Sequence, residues 1–317
     1  MTQAAAERSA AFLSATGAYL PERIVTNAEL SEALGVASDW IRTTSGIDER
    51  RYAAADETVV DLAVAAARRC LVAVDVHTIG LLIVSSGTSE RRWPGPAASV
   101  ARVLGLGSVP AIDLAMPSAG SVFGLAMASQ LAAVYGDVLV VGAEKMSSVV
   151  AQEGTHPNVA VLFGDGAGAC VVSRTSGRAR MLGSVLHTDG GFEEALHLGL
   201  HSPLEMDGRT IIMQAARKLP QVITELLEQH AIPVAQVGAF LMHQANQNLL
   251  RQVGKALGVE DARVFSNIAR YGNTSSASVL IALAEWAERD HFQPNVPVVV
   301  AAFGAGLNWG AVLVSGL

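Results

Sequence analysis

The sequence predicts an α/β protein made of two similar halves. Short apolar segments alternate with longer segments of helical periodicity, which is the order found in sheets built from β-α-β units. The apolar segments, such as 80–85 and 137–141, are continuously apolar, as is typical of strands that helices cover on both faces. Each half ends in a glycine-rich turn that leads into an apolar strand, at 164–172 and at 304–314. We therefore predict an internal duplication of a βαβα unit with a mostly parallel sheet.

The elements of the first half follow one another in this order. The pattern predicts strands and helices in alternation, at 80–85, 96–104, 109–114, 119–135 and 137–141. The run at 114–136 carries no charge and is long enough to span a bilayer. Proline, serine, glycine and glutamine residues dilute it, however, so we predict a buried helix and no membrane association.

The second half repeats the alternation. A helix is expected at 209–230, with a kink at Pro220 because proline lacks the N–H that a helix interior needs. The remaining elements are predicted at 237–242, 246–257, 274–288 and 296–303. We place the boundary between residues 1–175 and 176–317, in a short polar stretch. No low-complexity linker separates the halves, so we expect them to share one core.

Composition narrows the class of protein. The 317 residues include 22 Lys+Arg and 29 Asp+Glu, a formal net charge of −7, which gives no general attraction to nucleic acids or anionic membranes. Apolar residues make up 50% and charged residues only 16% of the chain, which excludes a disordered protein. So few charges also suggest that a second copy covers part of the surface, and we expect a homodimer.

Cysteine and histidine usage argues against disulfides and metals. The two cysteines, Cys70 and Cys170, cannot form a disulfide framework or a cysteine-rich zinc site, and the histidines show no metal-ligand spacing. We therefore expect no bound metal. Residues 1–8 are charged and lack the apolar core of a secretion signal, so we expect a cytoplasmic protein.

Ser118 is the first candidate for chemistry. It lies in the segment 113–120, between a predicted strand and a long predicted helix. The unpaired N–H groups of a helix's first turn can bind an oxyanion, and nucleophiles recur at strand-to-helix corners. Serine is also a favoured helix cap, so the segment alone leaves a plain N-cap open as the alternative.

Two further segments carry candidate side chains. His243 follows an apolar strand and precedes a helix, at the kind of strand end where open α/β sheets bind ligands. A buried, hydrogen-bonded structural histidine is the alternative. Asn273 belongs to a Gly-Asn turn within 270–278 that leads into a helix, and the alternative there is a turn followed by a Thr or Ser cap.

Together these segments resemble β-ketoacyl-ACP synthase III, the initiating condensing enzyme of fatty-acid synthesis, which has the thiolase fold. The similarity covers nearly the whole chain, and its motifs are specific in combination. They are the segments 17–22, 39–41, 45–50, 163–168, 243–246, 271–275, 303–306 and 309–310. The resemblance implies duplicated halves in layers α/β/α/β/α.

The resemblance also implies roles for particular residues. The family's Cys-His-Asn set falls on Ser118, His243 and Asn273. An oxyanion hole is implied from the backbone N–H groups of Ser118 and of Ala305, where the family has a glycine. Acyl-CoA or acyl carrier protein (ACP) is implied as the substrate, with no further cofactor.

Serine at position 118 departs from the family's cysteine. A helix N-terminus can lower a thiol pKa from about 8.5 to roughly 3.5–7.5, but a serine hydroxyl starts far higher and needs a general base. His243 is the only plausible base, and Cys70 and Cys170 are predicted to be core residues. Family members with serine here resemble acyltransferases or starter-unit enzymes of polyketide pathways. A Cys-to-Ser change made to trap a substrate would look the same.

The donor channel departs as well. Trp40 matches the tryptophan that stacks on the adenine of coenzyme A in the family. Its two arginine companions fall on Thr44 and Pro157, so we expect a weaker clamp in which Arg42 substitutes in part. Asn246 is assigned to the same channel.

Trp93 matches the bulky residue that crosses the family's dimer interface to cap the acyl pocket. A tryptophan there suggests a short acyl group, and interface packing is the alternative.

We therefore predict an enzyme that loads a short acyl group from a CoA or ACP thioester onto Ser118. Condensation with a malonyl thioester follows, as the starter step of a fatty-acid or polyketide pathway. The alternative is an O- or N-acyltransferase of secondary metabolism, in which His243 deprotonates an alcohol or amine. A catalytically silent subunit of a heterodimer is disfavoured, because it would need neither His243 nor Asn273.

Overall fold

The computed structural model describes residues 11–289 and 292–317. The segment 1–8, on which the predicted lack of a secretion signal depends, lies outside the described residues.

The described residues form fourteen strands. They are β1 (Ala11–Tyr19), β2 (Arg23–Thr26), β3 (Glu49–Tyr52), β4 (Ile79–Ser85), β5 (Ala111–Leu114), β6 (Asp137–Lys145), β7 (Asp165–Ser173), β8 (Ala179–Thr188), β9 (Leu196–Leu198), β10 (Leu204–Met206), β11 (Ala239–Met242), β12 (Val264–Phe265), β13 (Pro297–Gly304) and β14 (Asn308–Gly316).

Eleven α-helices accompany them within the same ranges. They are α1 (Asn27–Leu34), α2 (Ser38–Ser45), α3 (Val59–Cys70), α4 (Pro96–Leu104), α5 (Gly120–Tyr135), α6 (Met146–Val150), α7 (Pro157–Ala160), α8 (Gly208–Gln229), α9 (Gln247–Leu257), α10 (Ile268–Tyr271) and α11 (Ser278–Arg289). Short 3₁₀ turns lie at Leu71–Ala73, Val76–Thr78, Gly190–Ala195, Val234–Gln236, Asp261–Arg263 and Ser275–Ala277.

Strand order shows the duplication directly. The first half is ordered β1-β7-β6-β4-β5 and the second β8-β14-β13-β11-β12, so each strand of one half has a counterpart in the other. A short antiparallel pairing of β1 with β8 joins the two sets into one ten-stranded sheet. The predicted thiolase-like duplicated fold is therefore confirmed. The predicted domain boundary lies in the turn between β7 and β8 and stays a prediction.

The sheet is mixed, so the prediction of a mostly parallel sheet is wrong. Pairs among β4, β5 and β6, and among β11, β12 and β13, are parallel. The pairs that involve β1, β7, β8 and β14 are antiparallel. Strands β13 and β14 are joined by residues 305–307 alone, and a parallel crossover needs a dozen or more residues. The apolar pattern detects burial on both faces but not strand direction.

Helices and the two halves of the sheet stack in layers, in the order α/β/α/β/α. Helix α5 contacts β4, β6 and β7 of the first half and β14 of the second, and α11 contacts strands of both halves too. Helix α3 covers the other face of the first half, and α8 covers that of the second. A helix that is apolar all round must be buried, and α5 supplies much of the central core. This confirms the buried helix predicted at 119–135.

Helix α8 runs through Pro220 as a single element, and the kink expected there stays a prediction. Its buried face, which includes Leu219, Val222 and Ile223, packs against the second half of the sheet. The helix expected at 274–288 starts as a 3₁₀ turn and becomes α-helical at Ser278. Over the ranges described here, none of the helices is long and apolar enough to cross a membrane.

Gly168 in β7 allows close packing of α11, and we expect its substitution to destabilise the fold. A Cβ on Gly168 would lie 2.5 Å from Leu280 Cβ and 2.7 Å from the Ile281 nitrogen, so the helix would have to shift. Overpacking of this kind costs about 1–3 kcal/mol. Urea unfolding of Gly168→Ala should show a loss of that size in the free energy of unfolding. Gly190→Ala is the control, because its Cβ would meet nothing within 4 Å. Equal effects would contradict the close approach.

Candidate active site

Ser118 lies in the turn between β5 and α5 and is 7% exposed. Its φ of 62° is in the left-handed region, which non-glycine residues adopt mainly where the surrounding structure enforces it, often at active sites. The N-cap of α5 is Ala119, and that helix has no side-chain cap. The plain N-cap interpretation of Ser118 is therefore wrong. A serine on a strained strand-to-helix turn has the geometry of an exposed nucleophile.

The end of β13 comes very close to this turn. A Cβ on Gly304 would lie 2.4 Å from the Pro117 carbonyl oxygen and 2.8 Å from Ser118 Cβ, so only glycine permits the approach. As a result Ala305, the next residue, lines the same cavity as Ser118.

That cavity has a volume of about 810 Å³. Ser118, Ser275 and Ala305 form part of its wall. Apolar side chains make up much of the remainder, namely Val84, Met146, Val149, Phe163, Leu196, Leu198, Leu200 and Leu204. Charged side chains of Glu90, Arg91 and Arg92 also line it. A largely apolar cavity that opens on a serine can hold an acyl chain against the hydroxyl.

His243 follows the last residue of β11 and is 5% exposed. Its backbone N–H donates to the Ala301 carbonyl of β13 at 2.8 Å, which holds it at the end of the parallel strands. On the side chain, Nδ1 lies 2.5 Å from Ser278 Oγ. Within residues 11–289 and 292–317, no hydrogen bond involves Nε2, so the ring has one anchored nitrogen and one available for chemistry.

The hydrogen-bond donors and acceptors around His243 determine which ring nitrogen carries the proton. Ser278 Oγ already accepts the Gln244 N–H at 3.2 Å. If the hydroxyl donates its proton to Nδ1, every polar group in this trio has a partner, and the ring proton is then on Nε2. If Nδ1 donated instead, the buried Ser278 hydroxyl proton would have no acceptor among the described residues. We therefore assign the Nε2–H form to the resting ring.

Burial sets the charge of this ring. Desolvation lowers the pKa of His243 to about 4, because the charged form would lose its hydration. The imidazole is thus neutral near pH 7, and in the assigned tautomer it offers a hydrogen-bond donor to the site.

Asn273 is oriented by its own turn. Its Oδ1 accepts the Ser275 N–H at 2.9 Å, and its backbone pairs with Leu162 and Gly164 across the turn. Because Oδ1 is occupied, the amide nitrogen Nδ2 is the group left to bind an external oxygen. Asn273 is 7% exposed, and its bond to the Ser275 N–H is also the contact that the turn alternative expects, so its role in the site stays a prediction.

The segment 273–278 links the three predicted side chains, which make no direct hydrogen bond to one another in the described part of the chain. Ser275 contacts both Asn273 and the backbone of Ser118, and Ser278 contacts His243. The Ser118 N–H, predicted for the oxyanion hole, donates to Ser275 Oγ at 3.1 Å. An oxyanion there must share or displace this bond.

Sequence reasoning missed Glu144, which is completely buried behind the cavity. Its carboxylate accepts hydrogen bonds from the 86–88 loop and from Ser275 and Ser276. Burial raises the pKa of this carboxyl, and the same hydrogen bonds oppose the rise. The sequence did carry a signal, because Glu144 is the next-to-last residue of the largely apolar strand β6, and an unpaired buried charge there would be costly.

The predicted CoA-channel residues lie apart from the cavity. Trp40 lies on α2 and is 37% exposed. Arg42, on the same helix, forms a surface ion pair in which its Nε lies 3.9 Å from Asp48 Oδ1. Asn246 caps α9 with Oδ1, and its Nδ2 donates to the Thr44 carbonyl at 2.8 Å. Trp40 and Arg42 thus lie on α2, and Asn246 connects the start of α9 to the end of α2, a structural task that its position before a helix already indicated.

Trp93 is 83% exposed and does not line the cavity of its own chain. It cannot by itself shorten that cavity, so the predicted limit to short acyl groups depends on the Trp93 side chain of a second copy.

The cysteines are core residues, as predicted. Both are buried, and burial raises the pKa of Cys70 to about 12 and that of Cys170 well above its usual value. Neither thiol is placed to replace the Ser118 hydroxyl. The described residues contain no group of three or more His, Cys, Asp or Glu side chains that could hold a metal ion.

Comparisons with known proteins agree with this geometry. The family model described as 3-oxoacyl-[acyl-carrier-protein (ACP)] synthase III matches residues 112–190, and the model of its C-terminal part matches residues 227–315. Among curated relatives, β-ketoacyl-[acyl-carrier-protein] synthase III of Aquifex aeolicus is 34% identical over 302 residues, which cover 94% of this chain and 97% of the relative.

Solved structures give the same result. The crystal structure of 3-oxoacyl-[acyl-carrier-protein] synthase III from Aquifex aeolicus VF5 has a TM-score of 0.90 and 33% identity, covering 96% of this chain and 99% of that one. The priming β-ketosynthase from the R1128 polyketide biosynthetic pathway has a TM-score of 0.88 and 30% identity, covering 96% of each chain.

We expect NMR to show His243 as a neutral Nε2–H ring that becomes protonated only near pH 4. Desolvation lowers the pKa, so the ring takes up a proton at a lower pH than the ordinary value of 6.5. The two ¹⁵N shifts of the ring, followed from pH 7 downwards, report both the tautomer and the titration. The signal is identified by its loss in His243→Gln. A neutral Nδ1–H ring at pH 7, or titration near 6.5, would contradict the assignment.

Proposed function

The chain belongs to the 3-oxoacyl-[acyl-carrier-protein] synthase III family, and from this premise we propose that it loads an acyl group from a thioester onto Ser118 and condenses it with a malonyl thioester. One observation carries the proposal. The Ser118 hydroxyl stands on a left-handed strand-to-helix turn, makes no cap bond, and opens onto an apolar cavity of about 810 Å³.

Loading begins with attack of Ser118 Oγ on the thioester carbonyl carbon. His243 Nε2 takes the hydroxyl proton, which requires the Ser278 hydroxyl to turn and accept from Nδ1–H. The oxyanion of the tetrahedral intermediate binds the N–H groups of Ser118 and Ala305. The C–S bond then breaks, the thiolate takes the proton from His243, and an oxoester on Ser118 remains.

Condensation uses the two donors of the site. The carbonyl oxygen of the malonyl thioester accepts hydrogen bonds from His243 Nε2–H and Asn273 Nδ2–H, while the carboxylate leaves as CO₂. The resulting enolate carbon attacks the ester carbonyl, the bond between that carbon and Ser118 Oγ breaks, and Oγ takes up a proton from solvent water. A neutral His243 supports this role, because a ring with a pKa of about 4 is a good neutral donor but a weak general base.

Simple acyl transfer to an alcohol or amine is the second candidate, and Ser118 itself favours it. An oxoester is a weaker electrophile than a thioester, so a carbanion attacks it less readily. In that reaction His243 would act as base towards the acceptor, and Asn273 would have no decarboxylation to assist. The fixed amide of Asn273, with Nδ2 left as the donor, favours condensation.

The substrates and assembly follow as further parts of the proposal. The donor is a short acyl-CoA or acyl-ACP, and no other cofactor takes part. One solved relative is by its name the priming ketosynthase of a polyketide pathway, and we assign this enzyme a starter step of fatty-acid or polyketide synthesis. The functional unit is a homodimer in the cytoplasm, in which the exposed Trp93 reaches the partner's acyl pocket.

We expect Ser118 to become covalently acylated, because its hydroxyl is placed just before the start of α5 and beside the cavity. Peptide mapping after incubation with a panel of acyl-CoA and acyl-ACP thioesters should find the acyl mass on Ser118. The adduct should be lost in Ser118→Ala. An adduct that persists in that variant would exclude Ser118 as the nucleophile.

Ser118→Cys is expected to gain condensation activity with malonyl-CoA or malonyl-ACP. A thiol ionises more easily at a helix N-terminus, and its thioester is the better electrophile for the enolate. Product analysis of wild type and variant with the same acyl donor measures the effect. A variant that is acylated but never forms a β-keto product would instead favour acyl transfer to an alcohol or amine. Efficient condensation by wild type would show that the oxoester is no handicap.

A further inference from the structure

A buried carboxylate is connected to the backbone of Ser118 through one hydroxyl group. Ser275 Oγ accepts the Ser118 N–H at 3.1 Å and donates to Glu144 Oε1 at 3.0 Å. The three residues are 7%, 2% and 0% exposed, so these bonds lie in the buried wall of the site. The chain of contacts runs from the core to the turn that carries the proposed nucleophile.

Glu144 is surrounded by donors. Oε2 accepts from the Gly87 N–H at 3.0 Å, from Thr88 Oγ1 at 2.7 Å and from Ser86 Oγ at 3.4 Å. Oε1 accepts from Ser275 Oγ, from Ser276 Oγ at 2.6 Å and from the Ser276 N–H at 3.3 Å. Two of these donors are backbone N–H groups, which cannot reverse. One backbone N–H donates to each carboxyl oxygen, so the ionised carboxyl accepts at every contact and draws the hydroxyl protons of Thr88 and Ser275 towards itself.

The direction of the Ser275 hydroxyl decides what it offers to Ser118. Because its single proton points at Glu144, a lone pair of Oγ faces the Ser118 N–H. Ser275 is also held in the left-handed region, with a φ of 47°, and its own N–H fixes Asn273 Oδ1. One residue thus contacts the backbone of the nucleophile, the amide of Asn273 and the buried carboxylate.

We propose that Ser275 and Glu144 are positioning residues that hold the Ser118 peptide with its N–H directed at the cavity, ready for the oxyanion. The inference rests on the proposed acylation of Ser118. In the resting chain Ser275 Oγ satisfies the N–H, and the carbonyl oxygen of the bound acyl group shares or takes over that bond as negative charge develops. Glu144 prevents the opposite orientation of the hydroxyl, which would aim a proton at the N–H.

The neighbouring serine provides a matched control. Ser276 Oγ donates to the same oxygen of Glu144 as Ser275 does, and Ser276 is just as buried, but it neither contacts Ser118 nor lines the cavity. Ser275→Ala and Ser276→Ala therefore each remove one hydroxyl contact with Glu144. Ser276→Ala also removes a contact with the Ser85 carbonyl oxygen at 3.1 Å, whereas only Ser275→Ala removes the contact with the Ser118 N–H. Ser275→Gly removes the same hydroxyl and relieves the left-handed backbone, so it covers the case in which Ser275→Ala folds poorly.

The test measures single-turnover acylation by intact-protein mass spectrometry over a range of acyl-CoA concentrations. Loss of one oxyanion-hole donor costs about 10²–10³ in rate. We expect Ser275→Ala and Ser275→Gly to lower the limiting acylation rate at least about tenfold, with the half-saturating concentration changed by less than about threefold. In Ser276→Ala, the limiting acylation rate and the half-saturating concentration should each stay within about threefold of the wild-type value. Thermal unfolding of all three checks that stability does not account for the difference.

Glu144→Gln tests the second residue of the pair. Its amide nitrogen would face hydroxyl and N–H donors, so the Ser275 hydroxyl would turn away from its present orientation. The acylation rate should fall as in Ser275→Ala, and the double variant should be no slower than the slower single variant. If wild type is acylated on Ser118 but the Ser275 and Ser276 variants are acylated at equal rates, this inference alone is overturned. It is also overturned if the losses in acylation rate caused by Ser275→Ala and Glu144→Gln are fully additive in the double variant. Absence of any adduct on wild-type Ser118 would overturn the proposed function and this inference with it.

Discussion

The Glu144 carboxylate connects the two halves of the duplicated fold where they form the site. It lies in β6 of the first half, and its hydrogen-bond donors come from the 86–88 loop after β4 and from the 275–276 turn of the second half. A buried carboxylate is costly unless such donors surround it, so each loop is held where its N–H and hydroxyl groups reach it. The cavity wall, the Ser118 turn and the Asn273 turn all depend on that fixed junction.

The fold could be predicted largely from the sequence because burial leaves a direct record in residue type. Strands covered on both faces are continuously apolar, as β4 and β6 are, and α5 is apolar on every side because strands of both halves surround it. The sequence of β1 is not continuously apolar, because its residues alternate between buried and partly exposed positions. Strand direction was mispredicted for a related reason: it depends on the connections between strands, and the apolar pattern is the same in either direction.

The candidate site, like the fold, could be predicted from the sequence only in part. Ser118, His243 and Asn273 could be selected because each follows a strand or opens a turn, where side chains reach a shared edge of the sheet. Their supporting partners could not, because Ser275 and Ser278 look like helix-start serines and their contacts depend on three-dimensional packing. Asn246 stays a prediction as a channel residue, and the structure adds that its side chain caps α9. The sequence motif identifies the positions of the candidate residues, whereas the hydrogen bonds show what each side chain does in the structure.

The two proposed steps, acylation of Ser118 and decarboxylation of the malonyl group, make opposite demands on the His243 ring. Deprotonating Ser118 needs a free lone pair on His243 Nε2, whereas holding the malonyl carbonyl needs a proton there. Burial lowers the pKa of the ring to about 4, so a lasting imidazolium cannot serve both steps. The Ser278 hydroxyl resolves the conflict, because it can accept from Nδ1–H or donate to Nδ1, and it lies 2.5 Å away. The resting hydrogen bonds favour the donor form, so loading must carry the cost of the switch. A thiol partly ionised by the helix dipole would avoid that cost, which explains why a serine makes loading the more demanding half of this reaction.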